Sequence, residues 1–396
     1  MAAGSPASSL IIVGNGPGEI AGWAIPIAAE ARERSRLGGR PAEITLCLPP
    51  CQFASGQERA AAEAAGVFDH ILDPRDVLRL AVGLRGWQPT APPVLLHVGG
   101  DFWYSRRLAR RWRAPACAFV ERAHIARAHR AFHAIFVPTS ELRERLIRYG
   151  VPDAKIVVTG DPRHDVVVRD GSAPANGNGA PPVVTFLPGS RDTVFSAVFP
   201  FWVKTAAALR PQLPDARLRT VISPFVSPAI RQALVARHEP MLRAAGLEVA
   251  YGGWPQVVGS DLVLTIPGTN TLELALLRIP SLVVLPFSLA PQIPFEGIIE
   301  WVTRLPYVGP PLRQQLARAY VRRVPYVALP NMRAGRRIMP ELIGTVTPEQ
   351  VAEESARLIR DEAARDALAH ALEAIPREPG AARRILDGLQ AAPRTA

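Results

Sequence analysis

Short apolar runs alternate with amphipathic stretches along almost the whole chain. Leu10–Val13, Ile44–Leu48, Val94–Val98, Ala116–Val120, Ile135–Val137 and Ile156–Thr159 have the length and composition of buried strands. Between them lie alanine- and arginine-rich segments of helical spacing, such as Ile20–Arg34 and Glu141–Tyr149. Strand–helix alternation predicts parallel sheets covered by helices. The pattern breaks at residues 170–182, DGSAPANGNGAPP, where no hydrophobe exceeds Ala or Pro in size, as in a flexible linker. It restarts with Val183–Leu187, Leu218–Ile222, Leu247–Tyr251, Leu262–Ile266 and Ser281–Pro286. From Pro348 through Leu389 the pattern is helical, and Pro291–Val327, rich in Pro and Arg, reads as a mobile cap.

This organisation predicts two α/β lobes around a cleft: 1–169, a linker 170–182, a second lobe 183–345, and helices over 346–396 that pack back across the lobes. With 396 residues, 48% of them apolar, each lobe can bury its own core. Dehydrogenases and binding proteins share this architecture, so periodicity leaves the function open.

Composition narrows the setting. No apolar run reaches the roughly 18 residues of a membrane span. The N-terminal MAAGSPASSLIIVG lacks the basic start and cleavage site of a signal peptide, which points to the cytoplasm or the inner face of its membrane. Three cysteines, Cys47, Cys51 and Cys117, make no disulfide framework, and no second ligand pair accompanies Cys47 and Cys51, so no metal is expected. The net charge of +11 favours an anionic partner, whether nucleic acid, lipid or a phosphorylated substrate, or reflects a solvated basic face.

Four loops carry candidate chemistry. Gly14-Asn15-Gly16-Pro17-Gly18-Glu19 follows the first strand and opens a helix, so Gly16 and Gly18 let a ligand approach backbone amides, with Glu19 beside them. A dinucleotide reading fails at the second strand, which ends in Pro49-Pro50-Cys51 without the ribose-binding acid. Leu187-Pro188-Gly189-Ser190-Arg191 closes the first strand of the second lobe. Its Gly189 and Ser190 offer backbone donors to a phosphate, and Arg191 a permanent charge. Pro267 to Glu273 forms a turn in which Gly268, Thr269, Asn270 and Thr271 present donors at a helix start, with Glu273 placed to accept ribose hydroxyls or to offset the helix dipole. Asp101, after Gly99-Gly100, is either a general base or the cap of the next helix. That helix, Phe102–Arg113, mixes aromatics and arginines as a segment on anionic lipid, a half-buried helix or a single-strand nucleic-acid binder would.

In their order and spacing these loops resemble the lipid-A-disaccharide synthase family, inverting glycosyltransferases of GT-B fold: two Rossmann-like, doubly wound lobes facing across a cleft with C-terminal helices. VLLHVGGDF resembles the family strand that ends in the catalytic Asp, here Asp101. LPGSR is similar to the family motif whose Arg falls on Arg191. PGTNTLELALLRIPSLVV resembles the turn whose Glu, here Glu273, holds the nucleotide ribose. Tyr326–Ile343 is similar to the family's Leu-Pro-Asn, Ala-Gly-Arg and Pro-Glu-Leu stretch, which brings in Asn331 and Glu341. The family loop Gly-Glu-x-Ser-Gly-Asp is replaced by Gly18-Glu19-Ile20-Ala21-Gly22-Trp23, and its Ser-Pro-Ser-x-Trp-Ala-Trp by Glu121 to Arg127. Both departures lie on the acceptor side.

The resemblance implies a UDP-sugar held in the second lobe without a metal, and an acylated glucosamine passed to a lipid-linked or phosphorylated sugar acceptor that Asp101 deprotonates. It also implies a place in lipid A biosynthesis, peripheral on the inner face of the cytoplasmic membrane, with no nucleic acid bound; the C-terminal helices allow a homodimer. The alternatives are another GT-B enzyme, such as a UDP-N-acetylglucosamine 2-epimerase, and a non-catalytic UDP-sugar or lipid binder.

Overall fold

A computed structural model describes residues 9–38, 43–51, 54–170, 180–289 and 325–391. The expected linker falls mainly, and the expected cap over Pro291–Val327 almost wholly, outside these residues. The chain divides into two compact units, Met1–Val166 with Glu378–Ala396, and Val167–Arg377.

The first unit is built on seven strands: β1 Ser9–Val13, β2 Glu43–Cys47, β3 His70–Leu72, β4 Pro93–His97, β5 Ala116–Phe119, β6 Ile135–Val137 and β7 Ile156–Val158. They lie in the order β3-β2-β1-β4-β5-β6-β7, and every pair is parallel. The second unit has β8 Val183–Phe186, β9 Arg217–Ile222, β10 Leu247–Tyr251, β11 Leu262–Thr265, β12 Ser281–Pro286 and β13 Glu341–Gly344. Their order is β10-β9-β8-β11-β12-β13, again all parallel. In each sheet the order reverses once, between β1 and β4 and between β8 and β11. Such switch points open a crevice beyond the carboxyl ends of the two strands.

Central strands such as LIIV and LVLT are buried throughout and almost wholly apolar because helices cover both faces of the sheet. Around β8 and β11 the core is filled by Phe195, Phe199 and Trp202 of the helix Asp192–Leu209, and the Trp202 indole N–H donates to the Leu187 carbonyl at 3.2 Å. The C-terminal helix Ala381–Ala391 belongs to the first unit. The Asp165 carboxylate caps its start, accepting from the amides of Gly380 and, at 2.7 Å, Ala382. Arg384 donates to the Thr159 carbonyl at 2.7 Å. Two short edge strands, β3 and β13, carry no signal of their own in the sequence.

Candidate functional site

The structure places the predicted residues at the two switch points, except Asn331, which lies in the segment leading into β13. In the first unit the loops after β1 and β4 lie side by side: the amides of Val98 and Gly99 both donate to the Val13 carbonyl, at 2.8 and 3.2 Å. Gly99 leaves room that any side chain would fill, since a Cβ there would sit 1.9 Å from Cδ of Glu19. Glu19, half-buried, lies over this glycine and receives the Asn15 amide at 2.9 Å. It therefore braces the two loops against each other. Gly16 is buried in extended backbone at the start of the helix Pro17–Glu19, and Gly18 is exposed.

Asp101 sits just beyond the carboxyl end of β4, exposed, and caps the helix Phe102–Trp112 by accepting the Trp103 amide at 2.8 Å. Capping and base catalysis do not exclude each other, because a carboxylate has acceptor capacity beyond one amide. Beneath it, His97 closes β4, with its Nδ1 2.8 Å from the Ser105 hydroxyl and its ring 4.5 Å from that of Phe102. Burial pushes the imidazole down to about 3, with His124 acting in the same direction, so His97 stays neutral near pH 7. The ring is an uncharged support under the Asp101 turn.

In the second unit the loops after β8 and β11 meet in the same way. Leu187 donates to the Leu264 carbonyl at 2.9 Å. Gly189 turns with φ +96°, and a Cβ there would meet Val194 Cγ1 at 2.8 Å and Ile266 Cδ1 at 3.4 Å, so only glycine suits this corner. Ser190 and Arg191 follow, half-buried, at the start of the helix Asp192–Leu209. Gly268 and Thr269 are exposed and Asn270 half-buried at the start of the helix Thr269–Leu277, the end of a helix where backbone amides point outward. Glu273 is half-buried on the same helix. Backbone donors, a guanidinium and a carboxylate thus gather at one switch point, a set suited to a nucleoside diphosphate.

Two predicted ligand contacts turn out to be internal. Thr271 is fully buried; its amide and hydroxyl donate to the Gly268 carbonyl at 3.1 and 2.7 Å, and the hydroxyl accepts the Leu329 amide at 3.2 Å. Asn331 is likewise fully buried. Its Oδ1 accepts the amides of Ile338 and Met339 at 2.7 and 2.8 Å, and its Nδ2 donates to the Met339 carbonyl at 2.7 Å and to Glu341 at 2.9 Å. All of its capacity is used, so it shapes the 328–341 turn instead of meeting a ligand. Asn331→Ala is expected to lower the unfolding midpoint in urea, at about 1–3 kcal/mol for each buried group left unpaired.

One cluster of the first unit is not legible in the sequence. Arg163 and Asp161, beyond β7, join Trp23 of the π-helical turn Ile20–Ala24 and Glu121 beyond β5. Among the described residues, no group of three or more His, Cys, Asp or Glu is placed to hold a metal ion.

A profile of the family described as lipid-A-disaccharide synthetase matches residues 177–290, the stretch that holds both second-unit loops. The lipid-A-disaccharide synthase of Anaeromyxobacter dehalogenans is 32% identical over 209 residues, 52% of this chain and 48% of that protein. The chain thus spans about half the length of the curated relatives it matches. Among solved structures, the S. aureus MnaA–UDP co-structure aligns over 97% of this chain and 96% of its own, with TM-score 0.59 and 15% identity. A Listeria monocytogenes structure described as a putative UDP-N-acetylglucosamine 2-epimerase aligns over 98% and 96%, with TM-score 0.57 and 15% identity. At that identity the likeness shows the fold, the two-lobed α/β arrangement of GT-B proteins.

Proposed function

We propose that this chain, a relative of the lipid-A-disaccharide synthases, transfers an acylated glucosamine from a UDP-sugar to a lipid-linked or phosphorylated sugar with inversion at the anomeric carbon. The observation that carries the reading is that the family match spans the second-unit switch point, where Gly189, Ser190 and Arg191 stand beside Gly268, Thr269 and Asn270. There the amides and Arg191 take the diphosphate, and Glu273 takes the ribose hydroxyls. The leaving UDP gains negative charge as the glycosidic bond breaks, and fixed amides with a guanidinium stabilise it without a metal. Asp101 removes the proton of the acceptor hydroxyl as that oxygen attacks the anomeric carbon. A single displacement of this kind inverts the configuration.

The test is UDP release from UDP-2,3-diacylglucosamine with and without 2,3-diacylglucosamine 1-phosphate. Release that requires the acceptor and yields a disaccharide supports transfer; UDP binding with no release under either condition sinks it. The fold shared with the Listeria protein favours a second reading, an epimerase acting on a UDP-sugar alone. Conversion of UDP-N-acetylglucosamine without any acceptor would select it.

The acceptor side fits an anionic membrane surface. Among the described residues no helix is long and apolar enough to cross a membrane. The helices Pro74–Ala81 and Phe102–Trp112 pack together, and Arg107 donates to the Ala81 carbonyl at 2.9 Å. Leu78, Val82, Leu84 and Trp103 are 42, 50, 52 and 41% exposed, and Arg75, Arg79, Arg85, Arg106 and Arg110 are exposed among them. Apolar side chains interleaved with arginines suit a bilayer interface carrying anionic head groups. Co-sedimentation with phosphatidylglycerol vesicles is expected, weakened by salt and by Trp103→Ala with Leu84→Ala. Equal binding to neutral phosphatidylcholine vesicles would contradict the electrostatic part.

A further inference from the structure

The two stretches that depart from the family pattern converge on one guanidinium. Arg163 is 2% exposed and Asp161 1%. Its Nε donates to both carboxylate oxygens of Asp161 at 3.0 Å, and its Nη2 donates to Asp161 at 2.6 Å and to Glu121. Trp23 stands where the family loop has Asp. Its indole N–H donates to Asp161 at 3.3 Å, and the Arg163 guanidinium carbon lies 5.3 Å from its ring centroid. Gly22 makes room for this, since a Cβ there would come within 2.8 Å of Arg163 Cγ. Burial alone would raise the Asp161 carboxyl, but Arg163 outweighs it and holds the group below the usual carboxylate range. Arg163 is therefore a fixed cation, held by Asp161 and Trp23 and paired with Glu121.

Glu121 differs from its partners in exposure: its side chain is 20% accessible. It follows β5, the neighbour of β4, so it lies at the same sheet end as Asp101. A carboxylate that is partly accessible yet held by a buried cation keeps its orientation, which is what recognition of hydroxyl groups needs.

We infer that Glu121 is a specificity-determining residue of the acceptor subsite, receiving hydroxyl groups of a sugar, and that Arg163, Asp161 and Trp23 are the residues that position it. The identification of the sugar as an acceptor rests on the transfer reading above. An ionised carboxylate is a pure acceptor, so Glu121 selects hydroxyl donors at that point.

The experiment is calorimetric titration of the full chain with two probes, 2,3-diacylglucosamine 1-phosphate and glucosamine, and separately with UDP. For E121Q, at least one saccharide is expected to bind about tenfold or more weakly, the range for hydrogen bonds to a charged group, with UDP affinity unchanged. Equal saccharide affinity in wild type and E121Q, or no saccharide binding by wild type, overturns the inference. If E121Q also loses UDP, E121D decides: it keeps the charge but draws it back by one methylene, and unchanged saccharide affinity there overturns the inference as well. Saccharide binding that is sensitive to E121Q in a chain that does not bind UDP would sink the transfer reading and leave Glu121 standing as a residue that binds sugar hydroxyls.

Discussion

Asp101→Asn is expected to lower the rate of acceptor glycosylation by about 10²–10⁴, the range of general-base help, while UDP affinity stays unchanged. The substitution separates the two roles of this side chain. Asparagine caps a helix about as well as aspartate, so the bond from the Trp103 amide survives and the helix Phe102–Trp112 keeps its start. Only the capacity to take a proton is removed. Asp101→Ala removes both and should add roughly 1 kcal/mol of destabilisation from the lost cap. Steady-state rates with both substrates saturating, alongside a melt of each variant, distinguish the two effects. Full activity in Asp101→Asn would mean that this residue is a cap alone.

The second large effect is expected at Arg191. Its replacement by Ala should lower turnover by about 10²–10³, the loss measured elsewhere when one preorganised donor is taken from a developing anion. It should also weaken UDP more than uridine, because the guanidinium serves the diphosphate. Glu273→Gln should weaken UDP and uridine alike, because it serves the ribose. Arg191→Lys should recover only part of the loss, since an ammonium keeps the charge but not the planar fork. Calorimetric titration of UDP, UMP and uridine against the three variants checks the pattern. Equal weakening of all three ligands by Arg191→Ala would move that residue away from the phosphates.

The strands that were legible are those buried on both faces. LIIV, LVLT and SLVVLP announce themselves because a parallel sheet covered on both sides is filled by near-continuous apolar runs, with only small buried hydroxyl residues such as Thr265 and Ser281 among them. The edge strands His70–Leu72 and Glu341–Gly344 are three and four residues long, and they exist only because β2 and β12 offer a ladder to pair with. No local signal could mark them. At the site, the sequence located the loops but not the direction in which each side chain is used. Thr271 and Asn331 sit within ligand-binding motifs of the resemblance, yet their donors and acceptors close on neighbouring backbone. Glu19 lies in a glycine-rich turn and braces the loop after β4. The Trp23–Asp161 contact joins residues far apart in the sequence, and only the fold brings them together. The departures from the family pattern at Trp23 and at Glu121 were visible separately; that they share Arg163 was not.

The most direct test of glycosyl transfer by single displacement is the anomeric configuration of the product. UDP-2,3-diacyl-α-glucosamine and 2,3-diacylglucosamine 1-phosphate are incubated with the chain, and the coupling of the new anomeric proton is read by NMR. The account predicts a disaccharide whose coupling is the large diaxial value of a β-linkage. An α-linked disaccharide would contradict inversion and with it the role of Asp101, and a UDP-sugar altered without any disaccharide would contradict transfer itself.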